Sequence, residues 1–98
     1  MKRRLIVRPV ALRELEEGIT WYEDSVPGLG ARFLDEVRHT MERMIENPEQ
    51  FPFWRGMFRR ALVKDFPYGL HYRTHGEDVV LVAVFHTSRD PRQLLHRR

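Results

Sequence analysis

Cysteine is absent from the 98 residues of this chain, which excludes disulfide bonds, thiolate metal sites and a cysteine nucleophile. Long apolar runs are absent too. The longest, Val79–Phe85, is far shorter than the roughly 20 residues that a transmembrane helix needs. The basic N-terminus is followed by only a short apolar stretch, Leu5–Val7, which is too little for a signal peptide. We therefore expect a single soluble, cytoplasmic domain over residues 1–98.

The motifs of several enzyme classes are also missing. Gly28 and Gly30 lack the preceding strand and the third glycine of a nucleotide-binding loop, and the chain contains no Gly-x-Ser-x-Gly elbow of a hydrolase. His71 and His75 lie four residues apart on a predicted strand and turn, without a partnering acid. The sequence therefore predicts neither a metal site nor a cofactor.

Lysine is scarce, and the charges that are present are segregated along the chain. Only Lys2 and Lys64 of the 17 basic residues are lysines. Residues 11–50 carry ten acidic and four basic side chains, whereas residues 51–98 carry nine basic and four acidic ones. Arginine binds phosphate or carboxylate with a planar fork of donors. The second half of the chain therefore indicates an anionic partner, although a GC-rich genome would also enrich arginine.

The periodicity of apolar residues predicts two consecutive amphipathic helices. Apolar residues recur at steps of three and four in both segments. They are Leu12, Leu15, Ile19 and Tyr22 in the first, and Leu34, Val37, Met41 and Met44 in the second. Pro9 suits the start of the first helix, where Glu14, Glu16 and Glu17 would complement the helix dipole. A turn at residues 25–30 joins the helices into a hairpin whose exposed faces carry the acids.

Four runs rich in β-forming residues are predicted as strands. They are Arg3–Arg8, Arg59–Lys64, Tyr68–Thr74 and Asp78–His86. The last contains no polar alternation between Val79 and Phe85, so we expect a central strand covered on both faces. Asp90 and Pro91 suit the start of a short terminal helix through Leu95. The order β-α-α-β-β-β predicts an α+β fold in which the helical hairpin packs on an antiparallel sheet.

Basic residues on two neighbouring strands form the first candidate site. Strand alternation places Arg60 and Lys64 on one face, and His71 and Arg73 on one face. If the two faces coincide, a phosphate would meet several donors at once. The alternative is that these are only the solvated residues of half-buried strands.

The end of the last strand forms a second candidate. His86 could act as a general acid or base, or it could be a partly buried histidine satisfied by the backbone. Arg89 and Arg92 follow it, with Arg97 and Arg98 at the end of the chain. These arginines could form an anion-binding patch, or they could complement the last turn of the terminal helix.

The aromatic segment Phe51–Phe58 is a candidate partner surface. Exposed aromatic and arginine side chains are typical interface anchors, and the candidates here are Trp54, Arg55 and Phe58. Phe51 and Phe53 are expected to fill the end of the core instead.

Seven short motifs occur in a fixed order along nearly the whole chain. They are Arg8-Pro9-x-Ala11, Trp21-Tyr22-Glu23 with Pro27-Gly28-Leu29-Gly30, Phe33-Leu34-Asp35-Glu36-Val37, Glu46-Asn47-Pro48, Phe66-Pro67-Tyr68, Tyr72-Arg73 and Val84-Phe85-His86-x-x-Arg89-Asp90-Pro91. Together they resemble the RelE/ParE superfamily of type II toxins, which are encoded beside a small antitoxin. The resemblance implies a cognate antitoxin whose acidic or amphipathic tail covers the basic face, in a toxin–antitoxin hetero-oligomer.

The superfamily implies two different activities. RelE-like members cut messenger RNA on the ribosome, whereas ParE-like members poison DNA gyrase. This chain has Gly69 where RelE-like sequences place an arginine, and Leu94 and Leu95 where they place a late catalytic tyrosine, so the ParE-like branch is favoured. A nuclease would have to use His86 or His71 as acid and base, with arginines on the phosphate. Those arginines would be Arg60, Arg73 and Arg89. A third hypothesis is a non-toxic relative that only pairs with its antitoxin.

Overall fold

Two long helices form an antiparallel hairpin, as the apolar spacing predicts. In the computed structural model, which describes residues 3–98, α1 spans Pro9–Ser25 and α2 spans Leu29–Glu46. Gly28 precedes α2 with a φ of 89°, a left-handed conformation that glycine adopts without strain. No helix among the described residues has the length and apolar character needed to cross a membrane.

The hairpin is fixed by a close approach at its apex. A Cβ at Gly30 would lie 2.7 Å from the carbonyl oxygen of Ile19, so only glycine lets the two helices come this near. The carboxylate of Glu23 accepts hydrogen bonds from the backbone N–H groups of Gly28, at 2.9 Å, and Gly30, at 3.0 Å. Glu23 thereby satisfies donors at the start of α2 that have no partner inside the helix.

Five strands form one sheet in the order β1-β5-β4-β3-β2. They are β1 (Arg4–Val7), β2 (Phe53–Arg55), β3 (Phe58–Leu62), β4 (Tyr68–His75) and β5 (Asp78–His86). The α+β class and the helical hairpin are confirmed, but the sheet is mixed rather than wholly antiparallel, because β1 pairs parallel with β5. The connection from β1 to β5 contains both helices and the strands β2, β3 and β4, and it is long enough to let β5 run parallel to β1. The short strand β2 lies inside the aromatic segment Phe51–Phe58, where no strand was predicted.

The sheet is covered on both faces. The inner face, which meets the helices, carries the main core, including Phe33, Leu70 and Tyr72. The outer face carries a smaller cluster that is closed by Leu94, which lies in a short 3-10 helix, Pro91–His96. Strand β5 is central and contributes to both cores, as predicted from its apolar run. The predicted terminal helix is thus present, as a 3-10 helix.

Three predicted core positions can be compared directly. Phe51 is buried as expected, at 9% exposed, whereas Phe53 is 60% exposed and Leu12 is 46% exposed. Phe53 lies on the edge strand β2, where the guanidinium of Arg59 covers its ring at 3.9 Å from the centroid. The buried positions of α1 are Ala11, Glu14, Leu15 and Gly18.

Strand β5 contains a bulge, and part of its edge has no strand neighbour because β1 is shorter than β5. Tyr72 pairs with Leu81 and His71 pairs with Ala83, so Val82 is an extra residue on β5. Strand β1 ends opposite Leu81. Beyond that point, the N–H of Val84 donates to the carboxylate of Glu14 at 3.1 Å, and Arg97 donates to the carbonyl oxygen of Val82 at 2.8 Å. Side chains therefore replace the missing strand at this edge.

Candidate anion-binding cleft on the outer sheet face

A small cleft opens on the outer face of the sheet, beside the 3-10 helix. It is lined by Trp54, Arg60, Gly69, His71, Phe85, His86, Thr87, Arg89 and Pro91. Four of the catalytic or anion-binding candidates from the sequence, Arg60, His71, His86 and Arg89, thus line one cleft, together with the partner-binding candidate Trp54. They reach it from β3, from β4 and from the end of β5 and the turn after it.

The register of β3 and β4 explains why Arg60 and His71 meet. The two residues lie directly opposite each other in the antiparallel pair, so their side chains project to the same face. Their neighbours Ala61 and Tyr72 belong to the inner core. The two faces therefore coincide for Arg60 and His71, which the sequence alone left open.

Arg60 is held in place by an aromatic ring and a glycine. Its guanidinium carbon lies 3.4 Å from the centroid of the Trp54 ring, a cation–π contact. Its aliphatic stem passes over Gly69, where a Cβ would come within 2.9 Å of the Arg60 Cδ. Burial lowers the pKa of Arg60. Among residues 3–98, no carboxylate forms an ion pair with this guanidinium.

His71 forms the floor of the cleft as a neutral ring. It is only 3% exposed, and burial, assisted by the charge of Arg60, lowers the pKa of His71 to about 4. Its Nδ1 atom is buried and has no hydrogen-bond partner in the described part of the chain. An orphaned buried N–H is rarer and costlier than an orphaned acceptor, so we assign the proton to Nε2. That atom lies on the Gly69 side, 3.6 Å from the position of a Gly69 Cβ.

His86 stands at the rim of the cleft and is exposed. Its Nδ1 atom accepts a hydrogen bond from the backbone N–H of Ser88 at 3.1 Å, which places the proton of the neutral ring on Nε2. The ring also packs edge-on against Tyr68, with centroids 5.4 Å apart. Both histidines of the cleft therefore carry their proton on Nε2. Their acceptor nitrogen Nδ1 is buried in His71 and accepts a hydrogen bond from Ser88 in His86.

Arg89 reaches the cleft with its charge already compensated. Its Nη1 donates to Glu14 at 2.8 Å and its Nε donates to Gln93 at 2.6 Å. Glu14 is 7% exposed and also accepts from Arg97 at 2.9 Å. Glu14, Arg89 and Arg97 form what we call the ion cluster, which joins α1 to the residues that follow β5. Both guanidinium groups also lie over the ring of Phe85.

The remaining predicted anion-binding residues lie outside the cleft. Arg73 projects from β4 on the outer face, but it lines separate depressions on the other side of the 3-10 helix, with His96 and Arg98 in one of them. Lys64 is exposed and follows the end of β3. Arg92 pairs with Asp90 at 2.7 Å. The basic face is thus divided by the 3-10 helix rather than forming a single hollow.

The three predicted partner-binding residues have different environments. Trp54 is 45% exposed and lines the cleft, and Arg55 is exposed at the start of the turn between β2 and β3. Phe58 is only 7% exposed and belongs to the outer core, so its ring is not presented to a partner. Met57, at 62% exposed, is the exposed apolar side chain of this turn.

Sequence reasoning missed Glu14, which was expected to be an exposed helix-dipole partner. Glu14 lies three residues after Ala11 and four before Gly18, and all three are buried. An acid at that spacing on the small-residue face of α1 was the available signal.

No group of three or more histidine, aspartate or glutamate side chains among the described residues is arranged to hold a metal ion.

Comparisons with known proteins give one family and one fold. The profile described as the ParE toxin of type II toxin–antitoxin system, parDE, matches residues 5–91. A solved structure titled as the chromosomal ParDE TA system from P. aeruginosa superimposes with a TM-score of 0.77 at 12% sequence identity, covering 87% of this chain and 96% of that one. At this identity the similarity shows the fold alone. No curated protein sequence gives a significant match.

Proposed function

This chain belongs to the ParE toxin family of type II toxin–antitoxin systems, and from that premise we propose that it arrests growth by acting on DNA gyrase in the cytoplasm until a cognate antitoxin binds it. The observation that carries the proposal is the family match, which extends over residues 5–91 and so includes both long helices and the five strands except for Arg4, the first residue of β1.

The protonation pattern of the cleft supports binding rather than hydrolysis. Cleavage of RNA through its 2′-hydroxyl needs a general base with a free lone pair near the attacking oxygen. In the cleft, Nδ1 of His86 is bonded to Ser88 and Nδ1 of His71 is buried. Arg89 is paired with Glu14. The cleft therefore offers donors and lacks a ready base, which favours the reading in which the protein inhibits its target by binding it.

A supercoiling assay tests the gyrase target. Purified protein at increasing concentration is added to gyrase, relaxed plasmid and ATP, and linear DNA is measured after detergent treatment. We expect loss of supercoiling or accumulation of cleaved DNA. A heat-denatured sample serves as the control. Unimpaired supercoiling at saturating protein, with no trapped cleavage product, would reject gyrase as the target.

A ribosome-dependent endonuclease is the second candidate, because the cleft does bring Arg60, His71, His86 and Arg89 together. On this reading, His86→Ala should abolish messenger RNA cleavage by translating ribosomes and also growth arrest. His75→Ala, which changes an exposed histidine at the end of β4, is the matched control. Cleavage that survives in His86→Ala removes that residue from the catalytic candidates. If induction of the wild-type chain leaves growth unchanged, it is a non-toxic relative.

The surface proposed for the antitoxin lies around the turn between β2 and β3. Trp54 and Met57 are exposed apolar side chains there, and Arg55 lies between them. Met57 and Leu95, which is 73% exposed, line one depression together with Arg73. Apolar anchors among arginines fit an amphipathic, acidic segment that folds as it binds.

A matched pair of tryptophan variants tests this surface. Trp54 is 45% exposed near the turn, and Trp21 is 67% exposed on α1. Since interface hot spots contribute 2 kcal/mol or more, Trp54→Ala should weaken antitoxin binding by roughly 30-fold, while Trp21→Ala should leave it unchanged. The antitoxin would be taken from the reading frame adjacent to this gene, and affinity measured by calorimetry. If only Trp21→Ala lost affinity for the antitoxin, the interface would lie on the helices instead.

A further inference from the structure

Arg60 is a half-buried cation without a counter-ion in the described part of the chain. Every ion pair of the described residues involves other side chains, and its guanidinium donates no hydrogen bond to residues 3–98. Burying a charge without a partner is costly, and here the pKa of Arg60 is lowered by burial. Nearby, the buried ring of His71 lines the same cleft. A guanidinium without a counter-ion in a partly enclosed cleft indicates a group that is not part of this chain.

The polar side chains that line the cleft supply mainly donors. They are the guanidinium groups of Arg60 and Arg89, the rings of His71 and His86, which carry their protons on Nε2, and the hydroxyl of Thr87, which can donate or accept. Two carboxylates close to the lining residues already have partners: Glu14 accepts from Arg89, Arg97 and the N–H of Val84, and Asp90 pairs with Arg92. A set of donors that approach from three strands suits a tetrahedral oxyanion, whose oxygens point in several directions. A planar carboxylate matches such a set less well.

The shape of the cleft selects the kind of phosphate. Its floor is buried, because His71 is 3% exposed and Phe85 is 2% exposed, whereas Trp54 at the rim is 45% exposed. A phosphodiester within a nucleic-acid backbone is substituted on two sides and lies along a surface. A terminal phosphate is substituted on one side, so it can enter the cleft and reach the floor.

We propose that the cleft between Arg60, His71 and His86 is a binding site for a terminal phosphate monoester. Arg60 supplies the charge and forked donors, since its guanidinium is fixed by Trp54 and by the space above Gly69. The two histidines donate from Nε2, and the ring of Trp54 forms one wall. The site is independent of the gyrase target, and the proposal stands whether or not gyrase is inhibited.

Binding of inorganic phosphate and adenosine monophosphate tests the site, at ionic strength held constant with chloride. We expect saturable binding by calorimetry, with shifts of the ring nitrogens of His71 and His86 in NMR spectra of the unmodified protein. Arg60→Gln should weaken binding roughly tenfold or more, the effect of losing a charge-assisted hydrogen bond. Arg73→Gln removes the same charge from the same sheet face outside the cleft and should bind as the wild type does.

Further ligands separate the possible sources of the phosphate. An oligonucleotide with a 5′-phosphate that binds better than its 5′-hydroxyl counterpart would identify a nucleic-acid end, and tighter binding of the mononucleotide would identify a small nucleotide. Either result supports the site. The proposal is overturned by equal affinity for dimethyl phosphate or acetate, by equal losses in Arg60→Gln and Arg73→Gln, or by unchanged histidine signals in the wild-type protein. The histidine signals are measured on the wild-type protein, so this test applies even if Arg60→Gln fails to fold.

Discussion

Replacing Glu14 by glutamine tests the ion cluster that closes the edge of β5. The glutamate oxygens accept four hydrogen bonds, two from Arg97, one from Arg89 and one from the N–H of Val84. Glutamine keeps the shape and one acceptor oxygen, but it places an amide N–H₂ against a guanidinium. It also leaves Arg97, whose side chain is only 14% exposed, without its counter-charge.

The magnitude follows from burial. Removing one partner of a buried ion pair costs about 3–5 kcal/mol, but Arg89 is 37% exposed and solvent screens its share. We therefore expect Glu14→Gln to lower the free energy of unfolding by about 3 kcal/mol, with a lowering of Tm by roughly 10–20 °C. Trypsin should also cleave after Arg92 and Arg97 faster, because the residues that follow β5 are held less firmly.

Urea unfolding followed by circular dichroism measures the loss. Glu16→Gln on the exposed face of α1 is the control and should stay within about 0.5 kcal/mol of the wild type. The double variant Glu14→Gln/Arg97→Gln should be more stable than the sum of the single losses predicts, by about 1 kcal/mol or more, because the two residues share one interaction. If Glu14→Gln is as stable as Glu16→Gln, the cluster does not stabilise the fold and the reasoning is refuted.

Three other perturbations probe separate parts of the fold. Because the pKa of His71 is lowered to about 4 from 6.5, the unfolded chain takes up this proton first, and stability should fall as the pH drops from about 6.5 to 4, by about 3 kcal/mol. Urea unfolding at several pH values measures this dependence. The fall in the free energy of unfolding between pH 6.5 and 4 should be smaller in His71→Gln and unchanged in His75→Gln. Gly30→Ala should destabilise the protein by about 1–3 kcal/mol through the clash with Ile19, and a higher Tm would contradict the close approach. Tyr72→Phe removes a 2.6 Å hydrogen bond from the Tyr72 hydroxyl to the carbonyl oxygen of Pro48 and should cost about 1–2 kcal/mol; unchanged urea unfolding would show that this bond contributes nothing.

Local patterns in the sequence were sufficient for the two long helices and for four of the five strands, but not for β2 (Phe53–Arg55). The apolar steps of the two helices and the uninterrupted run Val79–Phe85 depend only on which faces are buried, and both are observed. The parallel pairing of β1 with β5 depends on where a strand returns after a long crossover, which no local pattern encodes. The bulge at Val82 depends likewise on the register between strands.

The cleft was predictable only in part, for a similar reason. Alternation put Arg60 and His71 on outward positions, but their meeting required the register of β3 with β4. Arg73 follows the same alternation and still lies outside, because the 3-10 helix crosses the face between them. Glu14 and Arg97 could each be explained locally, as charges that complement the dipole at a helix end. Their contact could not be predicted in this way, because the two residues are 83 positions apart.

That separation in sequence has a consequence for synthesis. The first strand finds its neighbour only when Asp78–Leu81 has been made, and the carboxylate of Glu14 at the exposed edge finds its partner only when Arg97, 83 positions later, has been made. Contacts of this range form late. A nascent chain whose Arg97 has not yet emerged from the ribosome therefore lacks its finished sheet edge, however early its two helices form.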